Sequence, residues 1–221
     1  VTYEGKKVGS FGDVSNFSFY FGHHISTIEG GMVCTNDEEI FQYAKMFRSH
    51  GMTRLDYLQH DELGTKLQKK YETLYPNLNP LFTFAVPGYN VRGQELNAIL
   101  GLSQLKRLDY NIDSRVENLN IWIDSLDKEK FFVDFAIEGN SNFALPLIVL
   151  NSDKDRFIRV CQILEDNKVE YRVGTAGGGN QAKQPYLEKY DFDAGDLPNS
   201  DYIHEFALYI GNHPEIKENQ I

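Results

Sequence analysis

Apolar and polar residues alternate from Asn16 to Phe21, where Phe17, Phe19 and Phe21 interleave with Ser18 and Tyr20. That period of two predicts a strand. Gly22 breaks it, His23 and His24 follow, and Gly30-Gly31 leads into a second short strand, Met32-Val33-Cys34. A hydroxyl on a strand, five residues before a titratable side chain in a glycine-bounded turn, suits an active site. A hairpin with solvated turn histidines fits the same pattern. Ahead of it, VTYEGKKVGSFGD reads as a strand-turn-strand entry punctuated by Gly5, Gly9 and Gly12.

Downstream the period changes. Asp37 to Ser49 reads as a helix, with Asn36 as N-cap and Glu39 at the capping-box position. Ile40, Ala44 and Phe47 share one face, Gly51 ends the helix, and Arg48 and His50 suit the negative end of its dipole. Residues 52–87 are charged and aromatic. Asp61 to Tyr75 is compatible with a helix, and Asn77, Pro80 and Pro87 mark loop. Leu96, Ile99, Leu102, Leu105, Leu108, Ile112, Val116, Leu119, Ile123 and Leu126 then follow at spacings of three and four. They predict one long helix, or two joined at a bend, with a continuous apolar stripe. Beyond about residue 128 the pattern is α+β. Strands are expected at Phe131–Phe135, Phe143–Leu150, Val169–Val173 and Phe206–Ile210, and a helix over Asp153–Asn167 capped by Ser152.

Length and charge narrow the possibilities. The 221 residues suffice for one large or two small domains with a core. With 22 basic against 32 acidic residues the net charge is −10, which argues against nucleic acid or an anionic membrane as main partner. The longest apolar run, Leu145 to Leu150, holds Pro146 and is too short to span a bilayer. Cys34 and Cys161 form no CxxC, which favours a reducing, cytoplasmic setting. His23 and His24 have no further ligands at metal spacing, so no metal site is expected. The stretch Arg172 to Pro185 contains Gly174 and Gly177-Gly178-Gly179, whose backbone could approach an anion closely. A flexible loop is the commoner reading of such a run, and the order of a Walker A motif is missing.

Three motifs stand in one register: Phe17-Ser18-Phe19, Glu29-Gly30-Gly31 and Thr35-Asn36-Asp37. Together they resemble the cofactor-anchoring segment of the DegT/DnrJ/StrS family, pyridoxal-phosphate enzymes that modify nucleotide sugars. Where that family usually carries a lysine, this chain has His23. A second signature follows in the right order. Gly88-Tyr89-Asn90-Val91-Arg92 enters a helix with Glu95-Leu96, Ala98, Gly101 and Gln104-Leu105 at matching places. The resemblance spans essentially all 221 residues. It implies an α/β fold, the C-terminal part of a fold-type I pyridoxal-phosphate-dependent transferase. Residues 1–92 would be the remainder of the large cofactor-binding domain, 93–127 a connecting helix or helix pair, and 128–221 a small α+β domain. It also implies a fragment: the acidic motif that meets the cofactor's ring nitrogen lies upstream of Val1, and the closing helix is cut to PEIKENQI.

The chemistry follows from the same resemblance. The family's lysine links the cofactor covalently and then shuttles a proton. Histidine makes no such stable link, yet with a reference pKa of about 6.5 it still moves protons. His23 therefore implies pyridoxal 5'-phosphate, or its aminated form pyridoxamine 5'-phosphate, bound non-covalently. This replacement is similar to the branch that removes the 3-hydroxyl of NDP-4-keto-6-deoxyhexoses in deoxysugar and lipopolysaccharide O-antigen biosynthesis. By the same match, Ser18 holds the cofactor phosphate and Asn90 reaches it from a neighbouring subunit, making a homodimer. His24 packs or supports. Arg172, Asn180 and Gln184 fall on the substrate loop for a nucleotide-diphospho-ketosugar. Residues 35–160 contain no cysteine for an iron–sulfur cluster, so glutamate is the expected amino donor. The alternatives are a sugar aminotransferase of the same family and a non-catalytic assembly or regulatory homologue. The isolated fragment is expected to be inactive.

Overall fold

The computed structural model describes residues 1–54, 62–174, 178–190 and 193–220. They fall into two compact units, Thr2–Lys106 and Arg107–Ile221. The division lies inside the 93–127 stretch expected to connect two domains.

In the first unit, β1 (Thr2–Tyr3) and β2 (Lys6–Lys7) pair antiparallel, the expected strand-turn-strand entry. Next, β3 (Val14–Ser18) and β4 (Gly31–Thr35) form an antiparallel ladder in which Val14 faces Thr35 and Ser18 faces Gly31. Helix α1 (Glu38–Arg48) follows, and its N-cap is Asp37 rather than Asn36. The Asp37 carboxylate accepts the Ile40 N–H at 2.8 Å, while Asp37's own N–H donates to Thr35 Oγ1 at 3.0 Å. The carboxylate one residue on satisfies an orphan donor of the first turn directly. Helix α2 (Glu62–Leu74) occupies the segment compatible with a helix, whose expected start at Asp61 lies outside the described residues.

The apolar stripe resolves into two helices. α3 (Glu95–Leu105) closes the first unit, and α4 (Leu108–Ser125) opens the second. Between them Arg107 leaves helical geometry at φ −110° and ψ 3°, with no glycine or proline to announce the break. The stripe behaves differently on its two halves. Leu119 and Trp122 of α4 are buried, whereas Leu96, Ile99, Leu102 and Leu105 of α3 remain 54–69% exposed.

The second unit is a three-stranded antiparallel sheet, ordered β5 (Ala144–Ile148), β7 (Ala207–Gly211), β6 (Tyr171–Val173), with α4, α5 (Lys154–Asp166) and α6 (Pro198–Phe206). Its core joins Leu119 and Trp122 to Leu145, Leu147, Val149 and Leu208, with Phe157, Val160 and Leu164 packed against them. Burying each large aliphatic side chain contributes ~1.5–3 kcal/mol. Pro146 sits on an edge strand, where its missing N–H costs no ladder bond, and its carbonyl accepts the Trp122 indole N–H at 2.7 Å.

Several expected boundaries shift for local reasons. Phe131–Phe135 is not a strand: Phe131 makes a single bridge to Val149, and Phe135 N–H turns back to Val133 O. The N-cap of α5 is Asp153, accepting the Arg156 N–H at 2.9 Å, while Ser152 adopts φ +51°. Val169 does not start β6. Its N–H donates to Leu164 O and Lys168 N–H to Glu165 O, with Lys168 at φ +57°, so both residues close α5 in a Schellman motif. α6 was not anticipated, although Pro198 stands at its first position, where proline favours helix initiation.

Candidate functional site

Ser18 is the last residue of β3, exposed, and its Oγ accepts the Tyr20 N–H at 3.3 Å. Beyond it the loop folds back on itself. His23 N–H donates to Tyr20 O, Thr27 N–H to Phe19 O, and Phe19 N–H to Gly30 O. His23 is half-buried on this loop, with its ring edge-on to Tyr20 at 6.3 Å between centroids. His24 is half-buried as well, which sets both histidines apart from solvated turn residues.

The loop is anchored by residues the sequence reading passed over. Thr27 is buried and donates from Oγ1 to Glu29 O at 2.9 Å. Asn97, on the first turn of α3, donates from Nδ2 to Thr27 O at 2.7 Å and to Glu29 O at 3.1 Å. Gly30 and Gly101 make room for the threonine: a β-carbon would stand 2.5 Å from its Oγ1 and 3.3 Å from its Cγ2, respectively. Neither periodicity nor charge marks Asn97. Only its place as a polar residue between Leu96 and Ala98 could have raised the question.

Asn90 is positioned by a different set of contacts. Tyr89 N–H donates to Phe47 O, His50 N–H to Tyr89 O, and Val91 N–H to Arg48 O, lacing residues 89–91 to the end of α1. That crossing needs two glycines, because a β-carbon on Gly51 or Gly88 would overlap the other strand's backbone at Val86 or Gly51. Asn90 itself is exposed, and its Oδ1 accepts the Arg92 Nε–H at 3.2 Å. A groove of about 650 Å³ lies nearby, lined by Phe17, Met32, Val33, Phe41, Phe47 and Tyr89 among others, but not by Ser18, His23 or Asn90.

In the second unit Arg172 lies on β6 opposite Tyr209, largely exposed, with Glu170 3.9 Å from its guanidinium. Asn180 is buried, and both ends of its amide make a hydrogen bond. Its Oδ1 accepts the Ala182 N–H at 2.9 Å, and its Nδ2 donates to Asp201 Oδ1 at 2.8 Å. Its backbone N–H donates to His204 Nδ1 at 3.2 Å. Lys183 Nζ also reaches Asp201 Oδ1, at 2.8 Å. The Lys183 ammonium, and after it the Asn180 amide, hold the Asp201 carboxyl below its ordinary range, and Asp201 in turn raises Lys183. Gln184 is half-buried beside Gly178, whose β-carbon would stand 3.7 Å from its Nε2. Arg172 and Gln184 thus present side chains, whereas Asn180 shapes the loop that carries Gln184. Asp201 and His204, one turn apart on α6, were missed together with that helix. Thr175 to Gly177 of the glycine run lie outside the described residues.

The first unit's loop suits a phosphate-bearing cofactor held without a covalent link. Ser18 offers a hydroxyl at a strand end, and His23 an imidazole on the loop that follows. No lysine occurs between Lys7 on β2 and Lys45 on α1.

Among curated proteins, the chain is 33% identical over 213 residues to a GDP-4-keto-6-deoxy-D-mannose 3-dehydratase of Yersinia pseudotuberculosis, covering 95% of this chain and 52% of that protein. Its fold matches an E. coli GDP-4-keto-6-deoxy-D-mannose-3-dehydratase with bound hydrated PLP at a TM-score of 0.76 and 28% identity, covering 96% of this chain and 53% of the other. A GDP-4-keto-6-deoxymannose-3-dehydratase with a trapped PLP-glutamate geminal diamine gives 0.80 and 26%, over 99% and 55%. The chain therefore spans about half the length of the relatives it matches. The α/β fold is the one expected for the C-terminal part of a fold-type I enzyme. The model of the DegT/DnrJ/EryC1/StrS aminotransferase family matches residues 1–221, and the chain belongs to that family.

Proposed function

We propose that the protein carrying this chain is a pyridoxamine-phosphate-dependent dehydratase of a nucleotide-linked 4-keto-6-deoxyhexose, working in deoxysugar biosynthesis. The observation that carries this reading is His23, half-buried on a tethered loop, five residues after the hydroxyl of Ser18 at the end of β3. Pyridoxamine phosphate, when bound, supplies an amine that condenses with the sugar's keto group and a conjugated ring that takes up electrons. Ser18 Oγ donates a hydrogen bond to the phosphate, and Asn90 reaches the phosphate of a neighbouring copy. His23 would take the proton from the cofactor's methylene carbon and, as imidazolium, give it to the departing 3-hydroxyl, which leaves as water. Arg172, Asn180 and Gln184 bind the nucleotide sugar, with Asn180 also holding the loop that carries Gln184 in shape. The names of the relatives favour a GDP-linked mannose derivative and glutamate as amino donor.

A homodimer is part of this reading. The bare Leu96, Ile99, Leu102 and Leu105 of α3 give a second copy an apolar face to cover. The unpaired Cys34 and Cys161 accord with a reducing cytoplasm.

The test replaces His23 in the polypeptide at the full length of its relatives. His23→Asn should retain bound pyridoxamine phosphate and lose roughly 10²–10⁴-fold in dehydration. His23→Lys should link the cofactor covalently, trapped by borohydride, with dehydration suppressed. Dehydration at wild-type rate in both variants sinks the assignment. Net amination of the sugar by wild type points to the aminotransferase, and failure to bind cofactor to a non-catalytic homologue.

A further inference from the structure

The geometry points to Arg115, on α4, as a receptor for a carboxylate, separate from the residues assigned to the cofactor and the sugar. Arg115 is only 6% exposed, and its Nε and Nη1 are buried without a hydrogen-bond partner among the described residues. Buried charges are normally paired, because an uncompensated ion in a poor dielectric is strongly unfavourable. Arginine cannot escape by losing its proton at ordinary pH. Burial pushes its pKa down, and no carboxylate among the described residues offsets that.

The neighbouring amide side chains direct their hydrogens elsewhere. Asn118, one turn along α4, donates from Nδ2 to Asn212 Oδ1 at 3.0 Å and to His213 O at 3.1 Å. Asn212 donates from Nδ2 to the Arg115 and Asn142 carbonyls, each at 2.9 Å. Asn118 thus donates to Asn212, both amides donate to the surrounding backbone, and Nε and Nη1 of the guanidinium are left over. What it lacks is an anion with paired oxygens matched to its planar fork. A carboxylate supplies that with a single charge. A phosphate would bring further oxygens, and the Asn118 and Asn212 amides that could have bound them have both hydrogens committed. The carboxylate can come from a small free acid or from an acidic side chain of a second copy of this chain.

The probes are sodium acetate, sodium chloride and sodium phosphate at equal ionic strength, added to the 221-residue chain and to two variants during thermal unfolding. Acetate should stabilise wild type saturably, by about 2–4 °C at roughly five times its dissociation constant. Chloride and phosphate should do less. Arg115→Met, neutral and similar in length, should lose the acetate response. Arg115→Lys, charged but without the fork, should lose the preference for acetate over chloride. If a second copy supplies the group, the wild-type midpoint instead rises with protein concentration, and Arg115→Met abolishes that rise. Equal acetate responses in wild type and Arg115→Met overturn the inference. So does a greater response to phosphate than to acetate, or the absence of both acetate and concentration effects.

Discussion

Gly179 and His204 are in contact so close that a β-carbon on the glycine would overlap the imidazole Nδ1. The same backbone has φ +84°, a conformation that L side chains adopt only under strain. Gly179→Ala should therefore cost about 1–3 kcal/mol, seen as a lower urea midpoint with an unchanged slope. Gly93, with nothing near its β-position, is the control, and Gly93→Ala should stay within about 0.5 kcal/mol. Equal effects at the two sites would show that the loop does not depend on the His204 contact.

Acid should loosen the same loop through Asp201. Its carboxyl titrates below the ordinary value because of Lys183 first and Asn180 second. A lowered folded-state value means that the contribution is complete above the unfolded value, about 3.9, and disappears as pH falls through the folded one. Lys183, raised by Asp201, keeps its contribution until pH climbs through its own raised value in the alkaline range. Both side chains are more than 40% exposed, so the effect is small and salt-sensitive. Asp201→Asn should flatten the decline in stability below roughly pH 4. Superimposable acid limbs for wild type and variant would remove the pair from the pH dependence.

Ile28 holds φ +72° on the loop that carries His23, a left-handed conformation that a β-branched residue reaches only at a cost of roughly 1–2 kcal/mol. Its side chain is 67% exposed, so little packing is forfeited by replacing it. Ile28→Asn should raise stability by about 1 kcal/mol, since asparagine tolerates this region. Ile28→Val should change nothing, because the branch remains. Denaturant melts of the two variants decide the matter, and equal midpoints would locate no strain at this residue.

Asn97→Ala should act on one loop and spare the core. Losing Nδ2 leaves the Thr27 and Glu29 carbonyls without their donor, at a cost of about 1–3 kcal/mol. Amide exchange should accelerate at Phe19, His23 and Thr27, whose N–H bonds close the loop, while β5 and β7 keep their protection. Uniform acceleration across both units would mean that Asn97 supports global stability instead.

The elements legible in the sequence are those with a strong local signal. The Phe17-Ser18-Phe19 alternation marks β3, and the Glu29-Gly30-Gly31 and Gly-Tyr-Asn-x-Arg motifs carried the family. The errors lie where a neighbour decides. Asp37 and Asp153 displace Asn36 and Ser152 as caps because the residue one place on has the carboxylate in reach. Val169 looks like a strand residue by type, yet its N–H is claimed by the preceding helix. For Asn180 the motif gave only the resemblance to a substrate position, and its bonds to Asp201 and Ala182 belong to a tertiary arrangement the motif does not encode. Arg115 was invisible for a related reason: an arginine on a helix reads as solvated until its burial is known.

Asn97 has a position whose consequence reaches beyond the loop. It holds the Thr27 and Glu29 carbonyls, and it belongs to the helix whose Leu96, Ile99 and Leu102 stand bare. That helix is therefore held on one side and bare on the other. Whatever settles on Leu96 would act one residue from the amide that fixes the His23 loop, so covering the bare side would stiffen that loop through a single turn of helix.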